Sequence, residues 1–145
     1  MSQYKFYGAS NSDCTPINNE IDVKNPKDLY DALSHVWSKE TCAPRMRNDW
    51  SKENMTLGQC SITAFLVQDI FGGVVYGVPL KDGNFHCYNV VGNSKFDLTS
   101  EQFKGIKLDY SDNYPQTRKE HFKKEEKYER YLLLKKNLIE YLNKK

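Results

Sequence analysis

The 145-residue sequence has no long apolar run and shows no signal-peptide pattern at its polar N-terminus. Its longest apolar stretch, residues 62–71, is interrupted by Thr63, Gln68 and Asp69. It falls well short of the roughly 18 apolar residues needed to span a bilayer. We therefore expect a cytoplasmic protein with no membrane association.

The chain also has little excess charge of either sign. Its 21 basic and 19 acidic residues give a formal net charge of +2, which exerts no strong pull on nucleic acid or an anionic surface. Basic residues are concentrated in the last third of the chain, but acidic residues interrupt every basic patch there. We expect no nucleic-acid partner, and His35 and His121, which lie among charged neighbours, are predicted to be solvated.

No pair of cysteines has the CxxC spacing of a zinc knuckle or a redox motif. The four cysteines are Cys14, Cys42, Cys60 and Cys87. In the cytoplasm they stay reduced, and with His35 and His86 they match no structural zinc pattern. His86 and Cys87 are adjacent, so in a strand they point to opposite faces. We expect no metal and no cofactor. A chain of this length can fold as one domain, residues 1–145, without either.

Hydrophobic periodicity predicts two helices in the first half of the chain. An apolar stripe at helical spacing, opened by Asn25 and Pro26, predicts a helix over 26–38. Residues 39–58 are irregular. A second helix begins near Gln59 and Cys60, is apolar nearly all round and therefore buried, and ends at the glycine pair 72–73.

The second half of the chain predicts strands and then a helix. Strand signals cover 74–80, 85–91 and 94–98, with turns at 81–84 and 92–93. A short capped helix over 99–103, a strand over 106–110 and a long charged helix over 117–143 follow. The pattern predicts an α+β fold in which a small antiparallel sheet packs against the buried central helix, with a long C-terminal helix.

Cys60, at the start of the buried helix, is the predicted chemical centre. Free backbone N–H groups and the helix dipole favour a thiolate there. A nucleophilic thiolate needs a base, which His86 can supply, and the base needs an orienting partner, which Asp97 can supply.

The turn at residues 92–93 decides whether Asp97 reaches His86. A two-residue loop pairs Val91 with Ser94 and turns His86 and Asp97 toward the same face, as diagonal neighbours. A three-residue loop turns Asp97 away, and His86 then loses its orienting partner. The sequence leaves both registers open.

An oxyanion hole needs hydrogen-bond donors near the thiol. The Cys60 backbone N–H is one predicted donor, and the side chains of Asn54 and Gln59 are two others. Trp50 is a candidate for substrate contact, although a place in the core is the commoner role for a tryptophan.

The order of a helix-start cysteine, a strand histidine and a strand aspartate resembles papain-like and transglutaminase-like cysteine folds. In papain-like enzymes an oxyanion glutamine stands six residues before the cysteine, where this chain has Asn54. The chain also resembles the YunG-like family of uncharacterised bacterial proteins, whose members read G-Q-C-x-V/I-T-A-L-x-x-Q-D-x-x-G-G, then H-Y-x-N, then D-L-T-x-E-Q-F. The residues that carry this resemblance are Trp50, Asn54, Gly58, Gln59, Cys60, Thr63, Ala64, Val67, Gln68, Asp69, Phe71, Gly72, Gly73, His86, Asn89, Asp97, Leu98, Thr99, Gln102 and Phe103.

This resemblance covers about residues 27–141. The chain departs from it at Cys87, where Tyr or Trp is usual, and at Met55, where Pro is usual. It implies a bacterial cytoplasmic protein with a cysteine-peptidase-like α+β fold, and it implies no substrate.

Two functions stay open at this point. The first is a cysteine-dependent hydrolase or acyl-transferase that acts on an amide or thioester carbonyl of a peptide, protein or small molecule through Cys60, His86 and Asp97. The second is a non-catalytic peptide- or protein-binding module with the same fold. In the second case Cys60 is a small buried residue, His86 a strand histidine with one hydrogen bond, and Asp97 a turn residue.

Overall fold

The helix that begins at Cys60 lies at the centre of the computed structural model, which describes residues 4–144. Nine of its 12 residues are buried, as expected for a helix that is apolar on nearly every side. It ends at Gly72, whose φ of 82° strains any residue with a side chain. The helices are α1 (Pro26–Leu33), α2 (Cys60–Phe71), α3 (Arg118–His121) and α4 (Glu125–Asn143).

Four antiparallel strands form one sheet in the order β3-β2-β1-β4. The strands are β1 (Val74–Pro79), β2 (Phe85–Val91), β3 (Ser94–Phe96) and β4 (Tyr114–Gln116). Asn89 on β2 donates a 2.9 Å hydrogen bond to the carbonyl of Ala64, which ties the sheet to α2. Val78, Tyr88 and Tyr110 form a smaller apolar cluster apart from the main core. The predicted α+β architecture with a small antiparallel sheet and a C-terminal helix is confirmed.

The α4 helix contributes buried Tyr131, Leu134 and Leu138 to the main core, beside α2. An ion pair between Arg118 and Asp69, with N–O distances of 2.5 and 3.1 Å, joins α3 to the end of α2. The C-terminal part of the chain is thereby held against the central helix.

Two predicted helices have different bounds in the structure. α1 ends at Leu33, and residues 34–36 form turns closed by tighter hydrogen bonds, such as Val36 N–H to Leu33 O at 2.9 Å. The single helix predicted over 117–143 is wrong, because the chain breaks into α3 and α4 after His121. At the break Phe122 turns inward, with its ring centroid 5.4 Å from that of Phe65.

The strand predicted over 106–110 is wrong. This segment is irregular, and its Ile106 is 71% exposed. The free edge of β1 is instead occupied by β4, which was not predicted because it contains Pro115. Proline lacks the N–H that a ladder uses, so it is confined to edge strands such as this one.

Three irregular regions contain short 3-10 helices. The first covers Ala9–Asn11, the second covers Pro44–Asp49 within the segment predicted to be irregular, and the third covers Ser100–Phe103, where a short capped helix was predicted. The third has no side-chain cap.

Within residues 4–144, no helix is both long enough and apolar enough to cross a membrane.

Candidate active site

Cys60 is the first residue of α2, and the chain before it is held in place by buried contacts. Gln59 is fully buried, donates to the carbonyl of Ser38 at 3.0 Å and accepts from the hydroxyl of Thr41 at 2.8 Å. Gly58 has a φ of 71°, and a Cβ there would lie 2.6 Å from the Cys42 sulfur, so only glycine fits. These contacts fix the point at which α2 begins. Cys60 is partly exposed there, among backbone N–H groups that have no partner within the helix.

His86 and Asp97 form a buried pair. The Nε2 of His86 lies 2.6 Å from Oδ2 of Asp97, and each side chain is 1% exposed. Val91 lies opposite Ser94, so the hairpin has the two-residue register that turns both residues toward one face. Asp97 lies just past β3, where its N–H donates to the carbonyl of Tyr7 at 2.9 Å.

The Asp97 carboxylate is held by three further donors. Tyr110 donates its hydroxyl to Oδ2 at 2.7 Å, and Thr99 donates its backbone N–H and its hydroxyl to Oδ1 at 3.1 and 3.2 Å. The ring edge of Phe103 packs against His86, with centroids 4.7 Å apart. The hydrogen bond to Asp97 and the contact with Phe103 therefore fix the position and the ring orientation of the His86 imidazole.

The other ring nitrogen of His86, Nδ1, is buried and makes no hydrogen bond within the described part of the chain. His86 and Cys60 line the same cleft of about 460 Å³. Burial by itself lowers the pKa of His86, but the Asp97 carboxylate and then the Cys60 thiolate raise it to about 10. A protonated His86 thus faces a cleft that it shares with a thiol.

The Cys60 thiol has a pKa well below its ordinary value. The interaction with the Cys87 thiol is the largest cause, burial opposes it, and the charge of His86 lowers the pKa further. The pKa of Cys87 is correspondingly raised, chiefly by the same interaction with Cys60. Of the two sulfurs, Cys60 is therefore the more readily ionised, and a thiolate there would share its cleft with His86.

His121 lies in the wall of this cleft and is half-buried, so the prediction that it is solvated is wrong. Its Nε2 contacts Oε1 of Gln116 at 2.9 Å, and its Nδ1 contacts the ammonium of Lys127 at 2.9 Å. Burial and then the charge of Lys127 lower the pKa of His121 to about 4. His121 is therefore neutral at physiological pH. His35, by contrast, is exposed and stacks on Tyr141.

The three residues predicted to assist Cys60 do not line the cleft. Both polar atoms of the Gln59 side chain are engaged elsewhere, as described above. Asn54 forms an isolated backbone bridge with Ser51, and the half-buried indole of Trp50 donates to the carbonyl of Met55 at 3.0 Å. These contacts place Asn54 and Trp50 within the irregular segment before α2.

Gln116 is a cleft residue that sequence reasoning missed. Its amide packs against Gly77, where a Cβ would lie 2.8 Å from the amide nitrogen. No motif marks Gln116, Lys127 or His121. The one available signal was Phe122, whose place on the apolar stripe of the C-terminal helix indicates that this part of the chain packs inward.

Comparison with known proteins places these residues in a family. The family model described as YunG protein matches residues 25–143. The Uncharacterized protein YunG of Bacillus subtilis (strain 168) is 33% identical over 90 residues, which are 62% of this chain and 71% of that relative. No solved structure matches the chain significantly. Cys60, His86 and Asp97 all fall inside the matched range, and the chain belongs to the YunG protein family.

Proposed function

We propose that the protein is a cysteine-dependent hydrolase or acyl-transferase that acts on an amide or thioester carbonyl. One observation carries the proposal: Cys60 at a helix start shares a cleft with His86, whose far nitrogen is fixed by a buried carboxylate 2.6 Å away. Nucleophile, base and orienting group are the three parts that this chemistry requires. Their order along the chain is that of a papain-like or transglutaminase-like arrangement, with an aspartate in the third position.

The geometry supports a two-step reaction. The Cys60 thiolate attacks the carbonyl carbon, and the imidazolium of His86 gives its proton to the departing amine or thiol, which leaves an acyl-thioester on Cys60. Neutral His86 then takes a proton from water or an acceptor amine as that nucleophile attacks the thioester. The acyl group leaves as an acid or a new amide, and the thiolate–imidazolium pair is restored.

The oxyanion of the tetrahedral intermediate needs donors on the cleft wall. The backbone N–H of Cys60 supplies one, since in the first turn of α2 it has no partner within the helix. The amide nitrogen of Gln116 is the nearest replacement for the predicted Asn54 and Gln59, since it lines the cleft while the Oε1 of the same side chain is used by His121.

The alternative is a non-catalytic module that binds a peptide or protein in the same cleft. The positions of Asn54 and Gln59 outside the cleft favour this alternative, because an inactive site needs no side-chain oxyanion donor. Under this alternative the ion pair of His86 and Asp97 serves stability alone.

The pH dependence of Cys60 alkylation by iodoacetamide, mapped by mass spectrometry, separates the two. We expect Cys60 to react selectively below pH 7, since its pKa is depressed, and we expect His86→Ala to abolish that low-pH reaction. Cys14, Cys42 and Cys87 serve as internal controls. His35→Ala is the matched histidine control, because His35 lies outside the cleft. A Cys60 that is inert, or that titrates near the ordinary value of about 8.5 in both proteins, contradicts the proposal.

A further inference from the structure

The cleft beside Cys60 has more positive than negative charge available to a ligand. Four cationic and two anionic side chains line it: Arg45, Lys124, Lys127, Arg130, Glu120 and Glu126. Both carboxylates are already paired, Glu126 with Arg130 at 2.8 Å and Glu120 with Lys123 at 3.0 Å. Arg45 faces Asp82 at 3.7 Å. Within residues 4–144, Lys124 and Lys127 are the cleft cations with no carboxylate in ion-pair range.

Lys127 differs from Lys124 in being partly buried and held in place. Its ammonium donates to Nδ1 of His121, whose Nε2–H donates to Gln116 Oε1, and each contact is 2.9 Å long. This chain of hydrogen bonds uses a neutral histidine to position a cation. An ammonium has three N–H groups, so two remain for another acceptor. Lys127 and Cys60 line the same cleft. Burial lowers the pKa of Lys127, while the thiolate of Cys60 raises it.

We infer that Lys127, positioned by His121 and Gln116, binds a carboxylate of the substrate next to the carbonyl that Cys60 attacks. The inference rests on the proposed function and names its substrate class: acyl or peptidyl compounds with a carboxylate close to the scissile bond. Of the two unpaired cations, Lys124 is exposed and only Lys127 is held in place, and one fixed ammonium suits a monoanion. Bidentate recognition of a phosphate dianion favours arginine forks, and both arginines of the cleft already face carboxylates.

Two alkylating reagents of nearly equal size test this directly. Iodoacetate carries a carboxylate and iodoacetamide is neutral, so the ratio of their rates at Cys60 reports the attraction of an anion to the cleft. Each rate is taken on the high-pH plateau of its own profile, so that a change in thiol ionisation does not enter the ratio.

We expect the ratio at Cys60 to exceed that at Cys14 and to fall about fivefold in Lys127→Met, as the loss of one positive charge from the wall of the cleft predicts. Lys127→Arg should restore most of it, and added salt should lower it in the wild type. Lys136→Gln is the matched control on the same helix, since Lys136 lies outside the cleft and should leave the ratio unchanged.

Selective reaction of Cys60 with iodoacetamide at low pH, together with a ratio that Lys127→Met leaves unchanged, would overturn the carboxylate site while leaving the nucleophile intact. Inertness of Cys60 to both reagents at every pH would overturn the proposed function and the carboxylate site together.

Discussion

His86 and His121 line one cleft beside one thiol, yet their pKa values move in opposite directions. The pKa of His86 rises to about 10 because a buried carboxylate lies 2.6 Å from its Nε2. The pKa of His121 falls to about 4 because the ring is half-buried and its Nδ1 faces the ammonium of Lys127. Burial lowers the pKa of both, so the sign of the nearest charge decides the outcome.

The comparison assigns a different role to each wall of the cleft. In the wall built by α2, β2 and the chain after β3, the Asp97 carboxylate raises the pKa of His86, and the Cys87 thiol and the charge of His86 lower the pKa of Cys60. In the wall built by β4, α3 and α4, neutral His121 positions the ammonium of Lys127. The proposed reaction uses both, a proton donor on the first wall and a binding charge on the second.

The most damaging change to the first wall is Asp97→Asn, which leaves a buried imidazole without its carboxylate. We expect a loss of about 3 kcal/mol in the free energy of unfolding, as for other buried pairs that lose one partner. The low-pH alkylation of Cys60 should disappear as well, because His86 becomes neutral. Urea denaturation and the alkylation profile measure the two effects.

The control for this change is Asp22→Asn, at an exposed aspartate far along the chain from the site. It should alter neither quantity. If Asp97→Asn behaves like Asp22→Asn, the buried pair has no influence on the thiol, and the contrast between the two histidines loses its physical cause.

A smaller effect is expected from Cys87→Ala, which removes the thiol that contributes most to the low pKa of Cys60. A hydrogen bond to a charged group contributes roughly 1.5–3 kcal/mol, so the alkylation profile of Cys60 should move up by about one pH unit. Cys42→Ala, at another buried cysteine, is the control. An unmoved profile in Cys87→Ala would leave His86 as the sole cause of thiolate formation.

The second wall gives a different kind of effect, a slope of stability with pH. In the unfolded chain His121 titrates near about 6.5, and in the folded protein its pKa is about 4. The stability that a neutral His121 contributes is therefore complete above pH 6.5, and it is lost as the pH falls through 4.

Replacement of His121 should make the free energy of unfolding depend less steeply on pH. Between pH 6.5 and 4 we expect the free energy of unfolding to fall less in His121→Gln than in the wild type. Denaturant titrations at the two pH values measure the difference. The His121 ring proton should not shift in NMR spectra between pH 5.5 and 9. A titration near 6.5 would show that His121 is not desolvated beside Lys127.

The sequence predicted the first wall well, because its parts obey local rules. An apolar helix with a cysteine at its start, a histidine in a strand and a two-residue turn together put Cys60 on a helix end and orient Asp97 toward His86. Only the register was open, and the pairing of Val91 with Ser94 decides it. The concentration of basic residues in the last third of the chain gave no hint that Lys124, Lys127 and Arg130 line the cleft, because acidic residues lie among them.

The second wall could not be predicted, because long-range contacts determine it. A continuous charged helix over 117–143 was the natural interpretation of the pattern, and it would have left His121 in solvent. The inward turn of Phe122 against Phe65 breaks that helix, and the break carries His121 into the cleft. Asn54 and Gln59 show the converse case, since both precede Cys60 in the sequence motif but lie outside the cleft. Buried hydrogen bonds hold the Gln59 side chain, and Asn54 pairs locally with Ser51.

The most direct test of the central claim is acyl transfer itself. Incubated briefly with p-nitrophenyl acetate at pH 7, the protein should release a burst of nitrophenolate stoichiometric with its concentration and carry one acetyl group, on Cys60. That group should be lost with time as the thioester turns over, and His86→Ala should show no burst. Slow acetylation spread over lysines and Cys14, equal in the wild type and His86→Ala, would contradict the account.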